Sequence, residues 1–403
     1  MEKKKIWLSL AQMTGNEMEF INEAFETNWI APLGPNVTGF ENSLQEYLFD
    51  QNTLSGNVVA LNTGTAGLHL ALIQLGIKAG DEVICQSFTF AATANVITYL
   101  GAKPVFVDSE LDTWNMDPKL LDEVILSRRL LTGKFPKAII TVNLYGMPAK
   151  LDELVAVSKK YDIPLVEDAA ESLGSTYKGQ KCGTFGNFGV ISFNGNKIIT
   201  TSGGGALICK DKKSADKTLY YATQAREVAP HYQHTEIGYN YRMSNVSAGI
   251  GRGQLTGLDY FVNRRRNNHK LYAALLRNTY GITVQENPNS DYDSNFWLTC
   301  ITIDSKKFGK TAEQIRLELE AENVESRPLW KPMHLQPVFA SMPYYGTGVS
   351  DNLFKTGLCL PSGAGLSEND IRGIVRIILH KEINVDEIIL DRKYRIPQYQ
   401  YQL

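Results

Sequence analysis

Apolar residues first recur at helical spacing within residues 15–28, where Met18, Ile21, Ala24 and Phe25 share one face. The spacing predicts an amphipathic helix, ended by Trp29-Ile30-Ala31-Pro32-Leu33-Gly34-Pro35, whose prolines and glycine forbid helix. Helical periodicity resumes over 40–48. Beyond it, short apolar runs at 58–62, 82–86, 104–108, 137–142, 164–167, 185–193 and 206–209 read as strands, with helices over 68–75, 91–100 and 151–161 between them. Strands alternating with helices predict an α/β fold: a large, mainly parallel sheet covered by helices on both faces. A helix over 248–266, with Arg264-Arg265-Arg266 as a solvated face, marks the passage to a smaller α/β unit holding a strand over 296–303 and helices over 312–322 and 368–379. The expected division is a large domain over 1–255, a small one over 256–385 and a peripheral tail over 386–403.

Composition supports two domains, since 403 residues with 43% hydrophobic and 21% charged content bury a large core. A net charge of −2 makes no electrostatic case for nucleic acid or an anionic membrane and favours small partners. No window approaches the ~18 to 20 apolar residues of a membrane span, and the basic start lacks the apolar run of a signal peptide. A cytoplasmic protein is expected. Cys85, Cys182, Cys209, Cys300 and Cys359 form no C-x-x-C pair, so reduced structural thiols are expected rather than a disulfide or metal framework. His231 and His234 follow Pro230, which breaks the helix their spacing would need, and have no cysteine nearby, which argues against a metal site.

Candidate chemistry concentrates in residues 166–205. Asp168 follows an apolar run, and Lys197 sits between polar turns and a β-branched run. Taken singly, Asp168 reads as the cap of a helix beginning at Ala169, and Lys197 as a solvated lysine. Together they suit one cofactor, pyridoxal 5'-phosphate: a carboxylate keeps the pyridine nitrogen protonated, and a lysine amine carries the group and shuttles protons. Thr63-Gly64-Thr65-Ala66-Gly67, between a strand and a helix, offers amides and a helix dipole to a phosphate. Ser87-Phe88-Thr89-Phe90 ends another strand, where one aromatic can stack on a flat ring while the other packs in the core. The segment around Trp29 and Pro32 reads as a substrate contact or a subunit seam. The Tyr-, His- and Arg-rich stretch over 220–245 faces a ligand or another subunit.

Glu167-Asp168-Ala169-Ala170-Glu171, Ser192-Phe193-Asn194-Gly195-Asn196-Lys197-Ile198-Ile199-Thr200-Thr201 and Gly238-Tyr239-Asn240-Tyr241-Arg242 resemble the nucleotide-sugar aminotransferases of the DegT/DnrJ/EryC1/StrS family. The resemblance runs in order from about Ile6 to Leu379. It implies the aspartate aminotransferase fold (fold type I), with Lys197 as Schiff-base lysine, Asp168 at the pyridine nitrogen and Phe88 stacked on the ring. Gly64, Thr65 and Ser192 would hold the phosphate, with Asn240 reaching it from the neighbouring subunit of a homodimer that shares its active sites. Glu171 falls near the cofactor's 3-oxygen, where many relatives have Gln or His. Family members with histidine in place of the lysine are dehydratases, so Lys197 implies a transaminase, with L-glutamate as donor and 2-oxoglutarate as co-product. The segments around Pro32, Arg226, Trp330 and Pro361 look most like members of the UDP-bacillosamine branch. These act on a UDP-2-acetamido-2,6-dideoxy-4-ketohexose to give UDP-4-amino-4,6-dideoxy-N-acetylglucosamine. Trp29, Pro32, Arg242, Arg327, Trp330 and His334 are the candidate substrate contacts, and Arg226, Arg242, Arg327 and Lys331 the candidate cations for the glutamate carboxylates. A GDP- or dTDP-linked keto sugar is the alternative substrate, and a cofactor-binding regulator the alternative class.

Overall fold

The computed structural model describes residues 4–49 and 55–380. Its large sheet has eight strands in the order Asn57–Leu61, Gly205–Cys209, Phe188–Ser192, Leu165–Asp168, Ala138–Val142, Glu82–Gln86, Lys103–Val107 and Tyr344–Tyr345. All run the same way except Gly205–Cys209, which is antiparallel to both neighbours. The strand ends at Leu61, Gln86, Val142, Asp168 and Ser192 therefore meet along one edge.

Side chains alternate across this sheet with the two-residue period of a strand. Ile84, Val105, Val107 and Ile139 enter one core with Leu121, Val124, Leu151 and Leu154. Val83, Cys85, Phe106 and Ile140 enter the other with Leu68, Leu72, Val96 and Ile97. Burial on both faces explains why these strands read as continuous apolar runs. Capping residues start and stop the covering helices. Asp117 accepts from the amides of Lys119 and Leu120 ahead of Pro118 at the first turn of Pro118–Thr132, and Gly133, at φ 76°, ends that helix in the left-handed region. This helix, Lys212–Ala222 and Val349–Thr356 add to those read from periodicity.

A second, four-stranded antiparallel sheet orders Ile282–Val284, Thr299–Ile303, Gly357–Leu360 and Arg327–Pro328. It packs with Leu258–Leu276, Ala312–Ala321 and Glu368–Leu379 around Tyr272, Ile301, Ile315, Leu319 and Ile374. The two sheets exchange chain. Tyr344–Tyr345 returns to the large sheet beside Lys103–Val107, and Ile6 bridges to Val324 of the smaller unit. The tail over 386–403 lies outside the described residues.

Three expectations change. The helix Glu17–Glu26 forms, yet of its apolar face only Ala24 is buried, while Met18 and Phe25 are exposed. The helix expected over 248–266 is two, Asn245–Leu255 and Leu258–Leu276, parted at Gly257, where a Cβ would crowd Thr14. The arginine run is not a solvated face. Arg265 is 2% exposed and donates to the carbonyl of Trp297 at 2.7 Å and the hydroxyl of Ser9 at 3.0 Å. Arg264 binds the carbonyls of Ala364 and Leu366, and Arg266 that of Ser294. Backbone carbonyls replace water for the Arg265 guanidinium, which is how a buried arginine without a carboxylate is tolerated, while Arg266 also pairs with Asp293 at 2.8 Å.

Candidate active site

A cavity of about 550 Å³ opens where the parallel strands end and the smaller unit leans over them. One wall is the N-terminus of the helix Gly64–Gln74. Thr63 caps it, its hydroxyl accepting from the Ala66 amide at 3.0 Å. The amides of Gly64 and Thr65 come earlier in the first turn, where a helix offers its donors no internal partner. A Cβ on Gly64 would sit 3.2 Å from that of Ser192, so this glycine lets helix and strand approach and brings the Ser192 hydroxyl to the same wall.

Asp168 and Lys197 line the same cavity. The Asp168 carboxylate accepts from the Thr93 hydroxyl at 2.7 Å and the Ala170 amide at 3.2 Å. Burial pushes its pKa above the usual carboxylate range, against the pull of these donors and of Lys197. No helix begins at Ala169, because the chain turns there instead; the helix-cap reading of Asp168 is thereby excluded. Lys197 Nζ lies 3.3 Å from Glu171 Oε1 and 4.2 Å from the centre of the Trp297 ring. Burial also raises Glu171, to about 7, although Lys197 and the Tyr145 amide, donating at 2.7 Å, both favour its charged form. Tyr145 holds φ at 55°, in the left-handed region. A non-glycine residue there costs about 1 kcal/mol or more, and the turn spends it to aim that amide at Glu171.

The aromatic wall differs from expectation. Phe88 is fully buried, packs edge-on to Tyr145 at 6.3 Å and does not line the cavity. Phe90, two residues on and 60% exposed, does line it, 5.4 Å from Trp330. Of the two rings, Phe90, at the start of the helix Ala91–Tyr99, is the one that the cavity offers to a planar ligand. Trp330 is fixed by its amide, which donates to the Tyr145 hydroxyl at 2.8 Å.

Of the other candidates, Arg327 lines the cavity and pairs with Glu325 at 2.8 Å. Arg242 does not; it binds Glu41 and the Ala60 carbonyl, tying a helix to the first strand. His334 is a joint between elements, bonded to Ser87 at 2.7 Å and Asp351 at 3.0 Å and stacked on Tyr344. Trp29 and Pro32 are exposed and away from this cavity, as are Arg226, stacked on Tyr232, and Lys331. Asn240 is also off the cavity and exposed, its carbonyl accepting from Asn62. Asn196, from the motif that holds Lys197, lines the cavity, as do Trp297, Ser9 and Glu325, which did not stand out in the sequence. Ser9 and Glu325 carry no local motif, and Trp297 sat in what read as strand.

This donor set fits pyridoxal phosphate: amides and a hydroxyl for a dianion, a buried carboxylate for a cationic ring nitrogen, an amine for an aldehyde and an aromatic wall for a ring. All five cysteines are free and buried. Among the described residues no group of His, Cys, Asp or Glu is placed to hold a metal, and no helix is long and apolar enough to cross a membrane.

Residues 11–379 match the model of the DegT/DnrJ/EryC1/StrS aminotransferase family. EpsN of Bacillus subtilis (strain 168), described as a candidate pyridoxal phosphate-dependent aminotransferase, is 49% identical over 381 residues, covering 94% of this chain and 96% of its own. The GDP-perosamine synthase of Escherichia coli O157:H7 is 35% identical over 359 residues, covering 89% and 93%. The crystal structure of a DegT DnrJ EryC1 StrS aminotransferase from Brucella abortus superposes with a TM-score of 0.83 at 30% identity, covering 90% of this chain and 94% of that one.

Proposed function

The chain belongs to the DegT/DnrJ/EryC1/StrS aminotransferase family, with the type I fold of pyridoxal phosphate enzymes, and from that premise we propose that it transfers the amino group of L-glutamate to C4 of a UDP-2-acetamido-2,6-dideoxy-4-ketohexose. The observation that carries the reading is Lys197 beside Asp168 and Glu171 in one cavity. An amine there can move protons, whereas a binding module has no use for it.

Bound pyridoxal phosphate supplies a cationic ring that accepts the electrons left on a carbon losing its proton. Gly64, Thr65 and Ser192 bind the phosphate dianion at the positive end of the helix. Asp168 holds a proton on the ring nitrogen; facing that cation, its carboxylate is drawn back to the charged form that burial alone opposes. Lys197 Nζ takes the α-proton of glutamate and, in the second half-reaction, returns one to C4 of the sugar. Glu171, at 3.3 Å, steadies the amine between these two transfers. Phe90 and Trp330 form the ring-binding wall, and Arg327 offers the cavity a cation for a carboxylate or diphosphate.

The reading makes the enzyme a homodimer. Met18, Phe25, Ile30 and Leu33 leave apolar surface uncovered on one chain, and Asn240, lying off its own cavity, would reach the neighbour's phosphate. Five buried thiols suit the reducing cytoplasm in which the reading places it. A GDP-linked 4-keto sugar is the second reading, favoured by the identity to GDP-perosamine synthase. Incubating purified protein with UDP-, GDP- and dTDP-linked 4-keto sugars and L-glutamate, read by mass spectrometry, separates the two. Amination of the UDP-linked sugar is expected, and conversion of the GDP-linked sugar alone would transfer the assignment.

A further inference from the structure

Trp297 meets Lys197 from the opposite half of the molecule. Its indole centre lies 4.2 Å from Lys197 Nζ, and its Nε1–H donates to the carbonyl of Asn196, the residue before that lysine, at 2.7 Å. Ring and lysine backbone thus share one frame. Trp297 is 3% exposed, and its backbone and neighbours hold it in place. The Trp297 amide donates to Asn295 Oδ1 at 2.8 Å, its carbonyl accepts from buried Arg265 at 2.7 Å, and Tyr145 stacks nearly parallel at 6.5 Å. Asn295 in turn donates to the carbonyls of Glu171 and Leu173. Phe296 precedes the tryptophan at φ 46°, a left-handed conformation costly for an aromatic residue, and that turn lies where the chain brings Trp297 to the cavity.

We propose that the Trp297 indole face is the seat of the Lys197 amine whenever that amine is not bonded to the cofactor, which makes Trp297 a positioning residue for the proton-carrying lysine. The proposal rests on the aminotransferase reading. Chemistry favours an aromatic ring in this role, because its quadrupole attracts an ammonium, yet it has no lone pair with which to take the proton. Glu171, the amine's other neighbour, can take one. The ring therefore holds the amine near the reacting carbon without competing for what it carries.

The test compares Trp297→Leu, which removes the face, with Trp297→Phe, which keeps a face and loses only the Asn196 bond. Single-turnover loss of the cofactor's visible band is followed with L-glutamate and with its α-deuterated form. Independently of turnover, reductive methylation of Lys197 in the cofactor-free protein is followed by peptide mass spectrometry, with circular dichroism confirming the fold. Trp297→Leu should slow the colour loss by about tenfold or more, raise the deuterium isotope effect and leave apparent glutamate affinity within about twofold. It should also speed methylation of Lys197 several-fold, while Trp297→Phe stays within about threefold of wild type in every readout. A wild-type rate, isotope effect and methylation in Trp297→Leu would overturn the proposal, as would Trp297→Phe being as impaired as Trp297→Leu. If wild type loses no colour with any amino donor, the aminotransferase reading fails, and the methylation comparison alone decides whether the seat exists.

Discussion

Asp168 and Glu171 are two buried carboxylates three residues apart on one turn, and their surroundings give them different work. Asp168 has two donors and faces the place of a ring cation; its replacement by Asn removes the charge but keeps the shape. Asp168→Asn should cut kcat by about a hundredfold or more with the fold unchanged, measured by steady-state turnover and circular dichroism. Glu171, raised to about 7 from 4.5 by burial, binds its proton more tightly when folded than unfolded. Its contribution to stability is thus full below about pH 4.5 and is lost as pH rises toward about 7. In cofactor-free protein, Glu171→Gln should remove that loss, so the variant's melting temperature gains on wild type across this window. The gain corresponds to a few kcal/mol, roughly 1.4 per pKa unit, and parallel melting curves would contradict it. Asp168 and Lys197 were legible because their chemistry is scarce and paired. The residues alone left Phe88 and Phe90 open and the resemblance pointed to Phe88, because spacing along a strand does not say which ring turns into the core.

At the scale of elements, the phosphate wall depends on close backbone approach. A Cβ on Gly205 would overlap the Gly64 amide nitrogen, a collision with backbone that no rotamer relieves. Gly205→Ala should therefore lower the melting temperature and release the cofactor on gel filtration, with a cost of a few kcal/mol; retention of colour and stability would argue against this wall. The strand-turn-helix over 57–74 was legible from its small residues, although the helix begins in the turn itself. The helix Pro118–Thr132 carried its own signs in Asp117-Pro118 and Gly133, but its apolar face is narrow, with Leu130 and Leu131 exposed. The strand Tyr344–Tyr345 is two residues long, too short for any period to register.

For the whole molecule, the arginines of Leu258–Leu276 tie that helix to the loops around Ser294–Trp297 and Ala364–Leu366; a charge run read alone places them in solvent, and the structure places them on carbonyls. Side-chain length explains the error: an arginine reaches partners that no local pattern reveals. Met18 and Phe25, read as part of a helix face, and Ile30 and Leu33, in the segment read as a substrate contact or subunit seam, are left uncovered by the chain's own core. Light scattering should accordingly give twice the 44.9 kDa chain mass, and a monomer at micromolar concentration would contradict the shared site. The role proposed for Lys197 is to carry a proton in an amino transfer from glutamate to a UDP-linked 4-keto sugar. Its most direct test supplies nitrogen-15-labelled L-glutamate and UDP-2-acetamido-2,6-dideoxy-4-ketohexose to wild type and to Lys197→Ala. Labelled nitrogen is expected at C4 of the sugar nucleotide with wild type and none with the variant; unlabelled sugar with wild type, or label from the variant, would overturn that role.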